Sequence, residues 1–394
     1  AEGRAPGARH RGWGAPAARA RIRVRTAPPR PAAAVARDGP RRYPPPPAMS
    51  APLPPPIELC FAAAERLGLS ARLLDAEHGY LWELSDGRGF RRAIVGSKLP
   101  VNDACADRLV QDKHYTQLVL AGHGYRVPRS VRLLCPRHWQ QPEFEAALEA
   151  QRGWAPARAL AAELGYPLVV KPNALSHGRH VALVEDFGAL EAALETVWRW
   201  DNIALVQERI VGREFRLDFL GQRYLIGYER RPLCVLGDGE TPLGGLIAAA
   251  DPRLAGGALL DELRAGEAWR AALAAAGAPQ GHERELTWVP PGGCRLVLSS
   301  EVMNLNRGAS AVFLADIPEA WRRWCVDLGQ RLGLEHFGLD LRAPSLDASP
   351  ETAVVLEVNA TPLVVQMARL GRRREALEAW CAVMERALEK ARGG

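Results

Sequence analysis

Lysine is scarce in this chain. Of 51 basic residues only Lys98, Lys113, Lys171 and Lys390 are lysines. Where arginine is the default cation, a lysine marks a place that needs a compact point charge, such as a phosphate oxygen. Lys113 follows Asp112 in a helical pattern, and Lys171 ends the apolar run of GYPLVVKP. Read alone, each is equally a solvent-facing residue at the end of an element. The polar turn after Lys171 runs through Ser176 and Gly178 to His180, and its small residues can close over a polyphosphate with backbone N–H groups. A plain hairpin turn has the same composition. The segment VQERIVGREFR carries Gln207, Glu208, Arg209 and Ile210 through Gly212 into a strand whose Glu214, Arg216 and Asp218 share one face. A carboxylate there suits ribose hydroxyls, and a guanidinium beside it suits phosphate or a developing oxyanion. A solvated face of alternating charge gives the same pattern.

Two further groups lie towards the C-terminus. Asp340 in FGLDLR and Glu357 and Asn359 in LEVNATP put three oxygen donors on what read as adjacent strands, with Glu357 and Asn359 on one face. Rigid hard-oxygen donors are what Mg²⁺ takes. Burying a carboxylate and an amide unpaired in an apolar strand is costly, so the alternative requires them to be exposed or to cap a turn. Between these segments, EVMNLNRGAS sets Asn304 and Arg307 before a small-residue turn, where an arginine can hold a carboxylate or acyl phosphate or simply decorate a surface loop.

These side chains need a scaffold, and the alternating pattern supplies one. Helices are expected over Glu58–Leu67, Asp103–Leu120, Phe187–Trp200, Ala248–Ala276, Ile317–Gly333 and Arg374–Arg392. Strands are expected over Arg72–Leu74, Tyr80–Leu84, Tyr166–Val170, Val181–Val184, Ala204–Glu208, Glu214–Leu220, Gln222–Glu229, Arg295–Ser299 and Ala353–Val358. Paired antiparallel strands mixed with packed helices make the class α+β rather than a doubly wound parallel sheet. The Rossmann glycine fingerprint and the G-x-x-x-x-G-K-[ST] loop are absent, so a nucleotide would have to be held another way.

Composition narrows the classes further. At 394 residues, 47% hydrophobic and 24% charged, the chain can bury a large core. No apolar run is long enough to span a bilayer and no signal-peptide pattern follows the basic N-terminus, so a cytoplasmic protein is expected. Seven scattered cysteines with no C-x-x-C pair argue against a disulfide framework and a zinc site. The net charge of +6 is concentrated in residues 1–48, where eleven Arg face only Glu2 and Asp38, leaving the rest net acidic. That Ala/Arg/Pro/Gly tail reads as disordered, as a transit-like leader or as sequence upstream of a start at Met49, and nucleic-acid binding rests on it alone.

Taken in order, DK, GYPLVVKP, SHGRHV, VQERIVGREFR, YERRPLCVLGDGETPLGGLI, VPPGG, NLNRGAS, FGLDLR and LEVNATP resemble the ATP-grasp enzymes. The likeness runs from about Asn102 to Gly371 and is nearest the amide-forming domain of cyanophycin synthetase and of bifunctional glutathione synthetases, with NLNRGAS closer to ribosomal-protein glutamate ligases. It implies an ATP-grasp fold, with two α+β subdomains clasping ATP. The implied division is a tail over 1–56, an N-terminal lobe over 57–110, an ATP-grasp domain over 111–371 and a C-terminal helix over 372–394. Within the third, a lid subdomain spans about 155–208 and an insertion about 244–290.

Carried over position by position, the resemblance puts phosphate-binding lysines at Lys113 and Lys171, the lid turn at Ser176 and Gly178, and the adenine hinge at Gln207, Glu208, Arg209 and Ile210. The ribose carboxylate falls on Glu214, catalytic positions on Arg216, Asn304 and Arg307, and magnesium ligands on Asp340, Glu357 and Asn359. The implied cofactors are ATP and two Mg²⁺ ions, replaceable by Mn²⁺. The implied partners are amino-acid or peptide substrates, with no nucleic acid or membrane and with a homo-oligomer left open. The implied activity is amide formation through an acyl phosphate. A phosphotransferase would share the nucleotide residues, but the NATP ending and the NLNRGAS turn favour a ligase, and the intact Lys113, Lys171, Asp340, Glu357 and Asn359 argue against a non-catalytic ATP-binding protein. His180 replaces a glycine usual in cyanophycin synthetases, Asn306 and Arg307 replace small residues of their substrate turn, and polymerisation of cyanophycin by this chain alone is not expected.

Overall fold

The computed structural model describes residues 52–136, 154–175, 178–279, 281–299, 305, 309–362, 365–369 and 371–393. In chain order its elements begin with α1 (Pro55–Arg66), β1 (Ser70–Leu73), β2 (Leu81–Ser85), β3 (Arg91–Val95), α2 (Ala104–Gln111), α3 (Lys113–Gly122) and β4 (Ser130–Leu134). Next come α4 (Ala155–Leu164), β5 (Leu168–Pro172), β6 (Ala182–Val184), α5 (Phe187–Val197), β7 (Ile203–Glu208), β8 (Arg213–Leu220), β9 (Arg223–Arg231) and β10 (Cys234–Leu236). The helical stretch α6 (Leu243–Ala250), α7 (Ala258–Arg264), α8 (Glu267–Ala275) and α9 (His282–Thr287) leads to β11 (Arg295–Val297) and β12 (Ser310–Leu314). The chain finishes with α10 (Glu319–Arg331), β13 (His336–Ala343), β14 (Val354–Asn359), α11 (Val365–Arg369) and α12 (Arg373–Gly393).

The strands form a five-stranded sheet β12-β9-β8-β13-β14, a four-stranded sheet β4-β7-β5-β6, a small sheet β1-β2-β3 and a β10-β11 ribbon, every pairing antiparallel. Each has its own apolar core, as the expected α+β class requires. On the five-stranded sheet the period of two turns Phe215, Leu217 and Phe219 of β8 and Phe337, Leu339 and Leu341 of β13 towards Trp321, Cys325 and Leu328 of α10. Everything between them on those strands faces the other way, and that second face carries the site. The four-stranded sheet buries Val170, Val184, Ala204 and Val206 against Leu160 of α4 and Leu190 and Leu194 of α5. A third core joins α1, the small sheet and α12, and a fourth lies among α6, α7, α8 and the β10-β11 ribbon.

Local chemistry explains where the observed elements depart from expectation. The single helix expected over Asp103–Leu120 is two, because Asp112 adopts an extended backbone that ends α2, while its carboxylate accepts the Tyr115 N–H and starts α3. The helix expected over Ala248–Ala276 is likewise broken. Asp251 leaves helical geometry and caps the turn Pro252–Leu254, and Gly257 and Gly266 precede α7 and α8. The strands β3, β4, β10 and β12 and the helices α4, α9 and α11 were not anticipated. All four of those strands are five residues or fewer, which leaves alternation little room to register.

Candidate active site

Strand β8 sits in the middle of a grid of charges. Its register sets Glu214 between Arg342 of β13 and Arg230 of β9, Arg216 between Asp340 and Tyr228, and Asp218 between Gly338 and Ile226. Strand β14 adds Glu357 opposite Asp340 and Asn359 opposite Gly338. The pairing of β13 with β14 shifts after Asp340, leaving Leu356 as an extra, bulged residue. That bulge keeps Val355 and Val358 in the core while Glu357 and Asn359 face the site.

The side chains form one zigzag of alternating sign. Arg342 grips Glu214 Oε2 with Nε at 3.2 Å and Nη2 at 3.0 Å. Glu214 Oε1 receives Arg230 Nη1 at 2.8 Å, and Arg230 Nη2 lies 2.8 Å from Asp340 Oδ1. Asp340 Oδ2 accepts from Arg216 Nη1 at 2.8 Å, and Arg216 Nε donates to Asp218 at 2.6 Å. Glu214, Arg216, Asp218 and Asp340 are all buried, and charges taken out of water must be paired. Burial opposes the charge on Arg216, but Asp218 and Asp340 outweigh it and the guanidinium titrates above its usual value. Burial likewise pulls Asp340 upward, yet Arg216 and Arg230 prevail and hold its carboxyl below the ordinary range. For Asp218 burial wins over Arg216, and the carboxyl is raised. Gly338 makes the crossing possible, because a Cβ there would stand 2.3 Å from Asp218 Oδ1 and 2.6 Å from Arg216 Nη2.

The two lysines approach from the other sheet and from α3. Lys171, on β5, donates to the carbonyl of the bulged Leu356 at 3.4 Å, and burial followed by repulsion from Lys113 lowers its pKa to about 8 against the pull of Glu357, Asp340 and Glu214. Lys113 opens α3, where the helix dipole disfavours a cation. It is held there by the carbonyls of Leu175 at 2.6 Å and Asn173 at 3.3 Å and by Glu357 at 3.7 Å. Both lysines are buried rather than solvent-facing.

A cleft of about 1080 Å³ is lined by most of these groups, but not by Lys113 or Asp218. Of the residues singled out from sequence it is lined by Lys171, Gly178, Gln207, Glu208, Arg209, Ile210, Glu214, Arg216, Asp340, Glu357 and Asn359. Gln207 is almost wholly buried and its amide donates to Gln117 Oε1 at 3.0 Å, so its side chain braces the β7 end. The Ile210 carbonyl accepts from Arg342 Nη1, which ties the β7–β8 connection to Glu214. Gly212 follows at φ +144 with its backbone against Ala343, a conformation that favours glycine. Leu259, Leu263 and Ala268 of the helical stretch close the cleft's far side. Ser176, Asn304 and Arg307 lie outside the described residues.

The oxygen donors suit a hard divalent ion: two carboxylates and an amide on adjacent strands, with Asn359 Nδ2 3.3 Å from Asp340 Oδ2. Turning that amide over would present its oxygen beside Asp340. Among the described residues no cluster of three His, Cys, Asp or Glu side chains has the arrangement of a metal site. A divalent ion there would need the asparagine among its donors and further ligands from outside the chain.

Arg230 and Arg342 were missed in the sequence. Arginine is too frequent to stand out, and only the register of β9 and β13 on β8 sets them beside Glu214.

This architecture is the ATP-grasp fold, and in sequence the chain resembles ATP-grasp ligases. It is 25% identical over 318 residues to the glutathione biosynthesis bifunctional protein GshAB of Mannheimia succiniciproducens, covering 78% of this chain and 39% of that protein. It is 28% identical over 328 residues to cyanophycin synthetase of Trichormus variabilis, covering 79% of this chain and 32% of that one. Among solved structures, the bifunctional glutathione synthetase from Pasteurella multocida matches 78% of this chain and 40% of its own with a TM-score of 0.51 at 21% identity, a likeness of fold. The chain thus spans two-fifths or less of the length of these relatives. No family model matches it. No helix among the described residues is long and apolar enough to cross a membrane.

Proposed function

We propose that this protein is an ATP-dependent carboxylate–amine ligase acting on amino-acid or peptide substrates. The observation that carries the reading is the meeting in one cleft of Lys171 with the Arg–Asp–Arg face of β8, β9 and β13 and the oxygen donors Asp340, Glu357 and Asn359. Cations and hard oxygen donors on opposed rigid sheets can neutralise a polyphosphate from both sides. The lid is taken to span about 155–208 and the insertion about 244–290, so the cleft lies between them.

Asp340, Glu357 and Asn359 would hold Mg²⁺, which when bound supplies charge neutralisation at the phosphates. Lys113 and Lys171 are assigned to phosphate oxygens, residues 207–210 to the adenine edge and Glu214 to the ribose hydroxyls. An oxygen of the substrate carboxylate attacks the γ-phosphorus, the bond to the β-phosphate oxygen breaks, and ADP leaves with the electron pair. The amine nitrogen then attacks the acyl carbon, phosphate departs with the C–O pair, and the nitrogen gives up a proton. Arg216 is assigned to offset the charge that builds on phosphate and carbonyl oxygen, and closure of the cleft would keep water from the acyl phosphate. Arg307 and Asn304 are assigned to the substrate side by resemblance.

The test is positional: a carboxylate substrate labelled with ¹⁸O should deliver one labelled oxygen to the inorganic phosphate released. Phosphate free of label alongside amide product would rule out the acyl phosphate, and label-free transfer of phosphate to a hydroxyl would make the protein a phosphotransferase.

A further inference from the structure

Arg230 bridges two carboxylates for which the site has different uses. Its Nη1 is 2.8 Å from Glu214 Oε1 and its Nη2 is 2.8 Å from Asp340 Oδ1. Its Nε is buried with no acceptor among the described residues, and the residue lines the cleft. An arginine is a fork of five N–H donors, and a buried one left unmet is a cost that an incoming acceptor removes.

We propose, on the reading of the site as a ligase, that Arg230 is a further catalytic residue: it holds Asp340 in the ligand-free chain and turns to the transferring phosphate when Asp340 is taken by Mg²⁺. The partners of each guanidinium decide which one is released. Arg216 shares Asp340, but it also holds Asp218 at 2.6 Å and keeps that partner when Asp340 is withdrawn. Arg230 would keep only Glu214, and Glu214 is already gripped by both Arg342 Nε and Nη2. Of the two guanidiniums that share Asp340, withdrawing it therefore leaves Arg230 the one with unbalanced charge, beside the ion it has made way for. No proton moves in this exchange. A carboxylate–guanidinium contact is replaced by a carboxylate–metal contact and a guanidinium–phosphate contact.

Two consequences separate this from a bracing role. If Arg230 competes with the metal for Asp340, its removal should lower the Mg²⁺ concentration that nucleotide binding requires. If it also meets the phosphate during transfer, its removal should lower kcat. A side chain that only braced the site would raise the metal requirement when lost. The experiment is calorimetric titration of ADP into wild type, Arg230→Gln and Arg230→Lys over a series of Mg²⁺ concentrations, with melting in EDTA to confirm folding and kcat for any pair of substrates that turns over. For Arg230→Gln the half-saturating Mg²⁺ should fall several-fold, while kcat falls about a hundredfold, the scale of one lost transition-state donor. An unchanged or raised metal requirement overturns the proposal, as does a kcat within tenfold of wild type. Should Arg230→Gln fail to fold, Arg230→Lys is judged by the same two readings, since an ammonium cannot bridge both carboxylates. Absence of turnover in wild type would count against the ligase reading alone, because the Mg²⁺–ADP titration still decides whether Arg230 competes for Asp340.

Discussion

Six side chains carry most of the electrostatic risk in this fold. Arg342, Glu214, Arg230, Asp340, Arg216 and Asp218 alternate in sign, each ion-paired with the next, on a face largely shielded from water. Removing one member of such a buried chain strands its neighbour at a cost of about 3–5 kcal/mol. Next to it His336 opens β13, fully enclosed, with its ring edge-on to Trp380 at 6.1 Å. Burial, helped by Arg216, drives its pKa down to about 3 from the ordinary value near 6.5. Between those values the unfolded chain binds a proton that the folded chain refuses, so stability falls as the pH drops, by about 1.4 kcal/mol per pH unit from this group. Urea unfolding of wild type should weaken from pH 6.5 to 4.5, and His336→Gln should show a shallower slope. Equal slopes would mean that the ring is protonated inside the fold. Residue type and alternation singled out Lys113, Lys171, Glu214, Arg216, Asp340, Glu357 and Asn359 as candidates. They could not single out Arg230, Arg342 or Gly338, whose importance depends on which residue lies across the sheet.

At the scale of elements, the site depends on β13 and β14 staying in register, and one side chain outside the sheet ties them together. Asn102 donates to the carbonyls of His336 and Ala360 at 2.7 Å each, and its Oδ1 accepts from the N–H groups of Glu335 and His336 at 2.9 Å each. That amide joins the start of β13 to the chain just after β14, the two segments that present Asp340 and Asn359. Asn102→Ala leaves four backbone groups without it and should cost about 3 kcal/mol in denaturant unfolding. It should also raise the Mg²⁺ concentration needed for nucleotide binding, the opposite of the Arg230→Gln effect. A loss below about 0.5 kcal/mol would show that the register is held elsewhere. The long strands and helices were legible because their apolar period persists over eight or more residues, as in β8, β13 and α12. The break at Asp112 was not, since a carboxylate between two helical patterns reads equally as a surface residue and as a cap. The Ala-rich run over 248–276 read as one helix because alanine fits every turn, and only the backbone at Asp251 and Gly257 divides it.

For the whole molecule, the cleft is floored by the five-stranded sheet, faced by β5, β6 and β7 and closed by α7 and α8. Its charged half was legible because lysines, arginines and carboxylates at alternating positions stand out in a sequence. Its far half, with Leu259, Leu263, Ala268 and Leu298, was not, because an apolar wall has no compositional signature of the substrate it fits. A ligase of this kind spends ATP productively only when a carboxylate and an amine are both present. The measurement that addresses this most directly is ADP release with Mg-ATP against a panel of amino acids and dipeptides, singly and in pairs, with product masses determined. The expected result is ADP release that depends on a particular pair and a product lighter by one water than the two substrates together. ADP release that is the same with and without any pair, or a protein that binds no Mg-ATP at all, would contradict it.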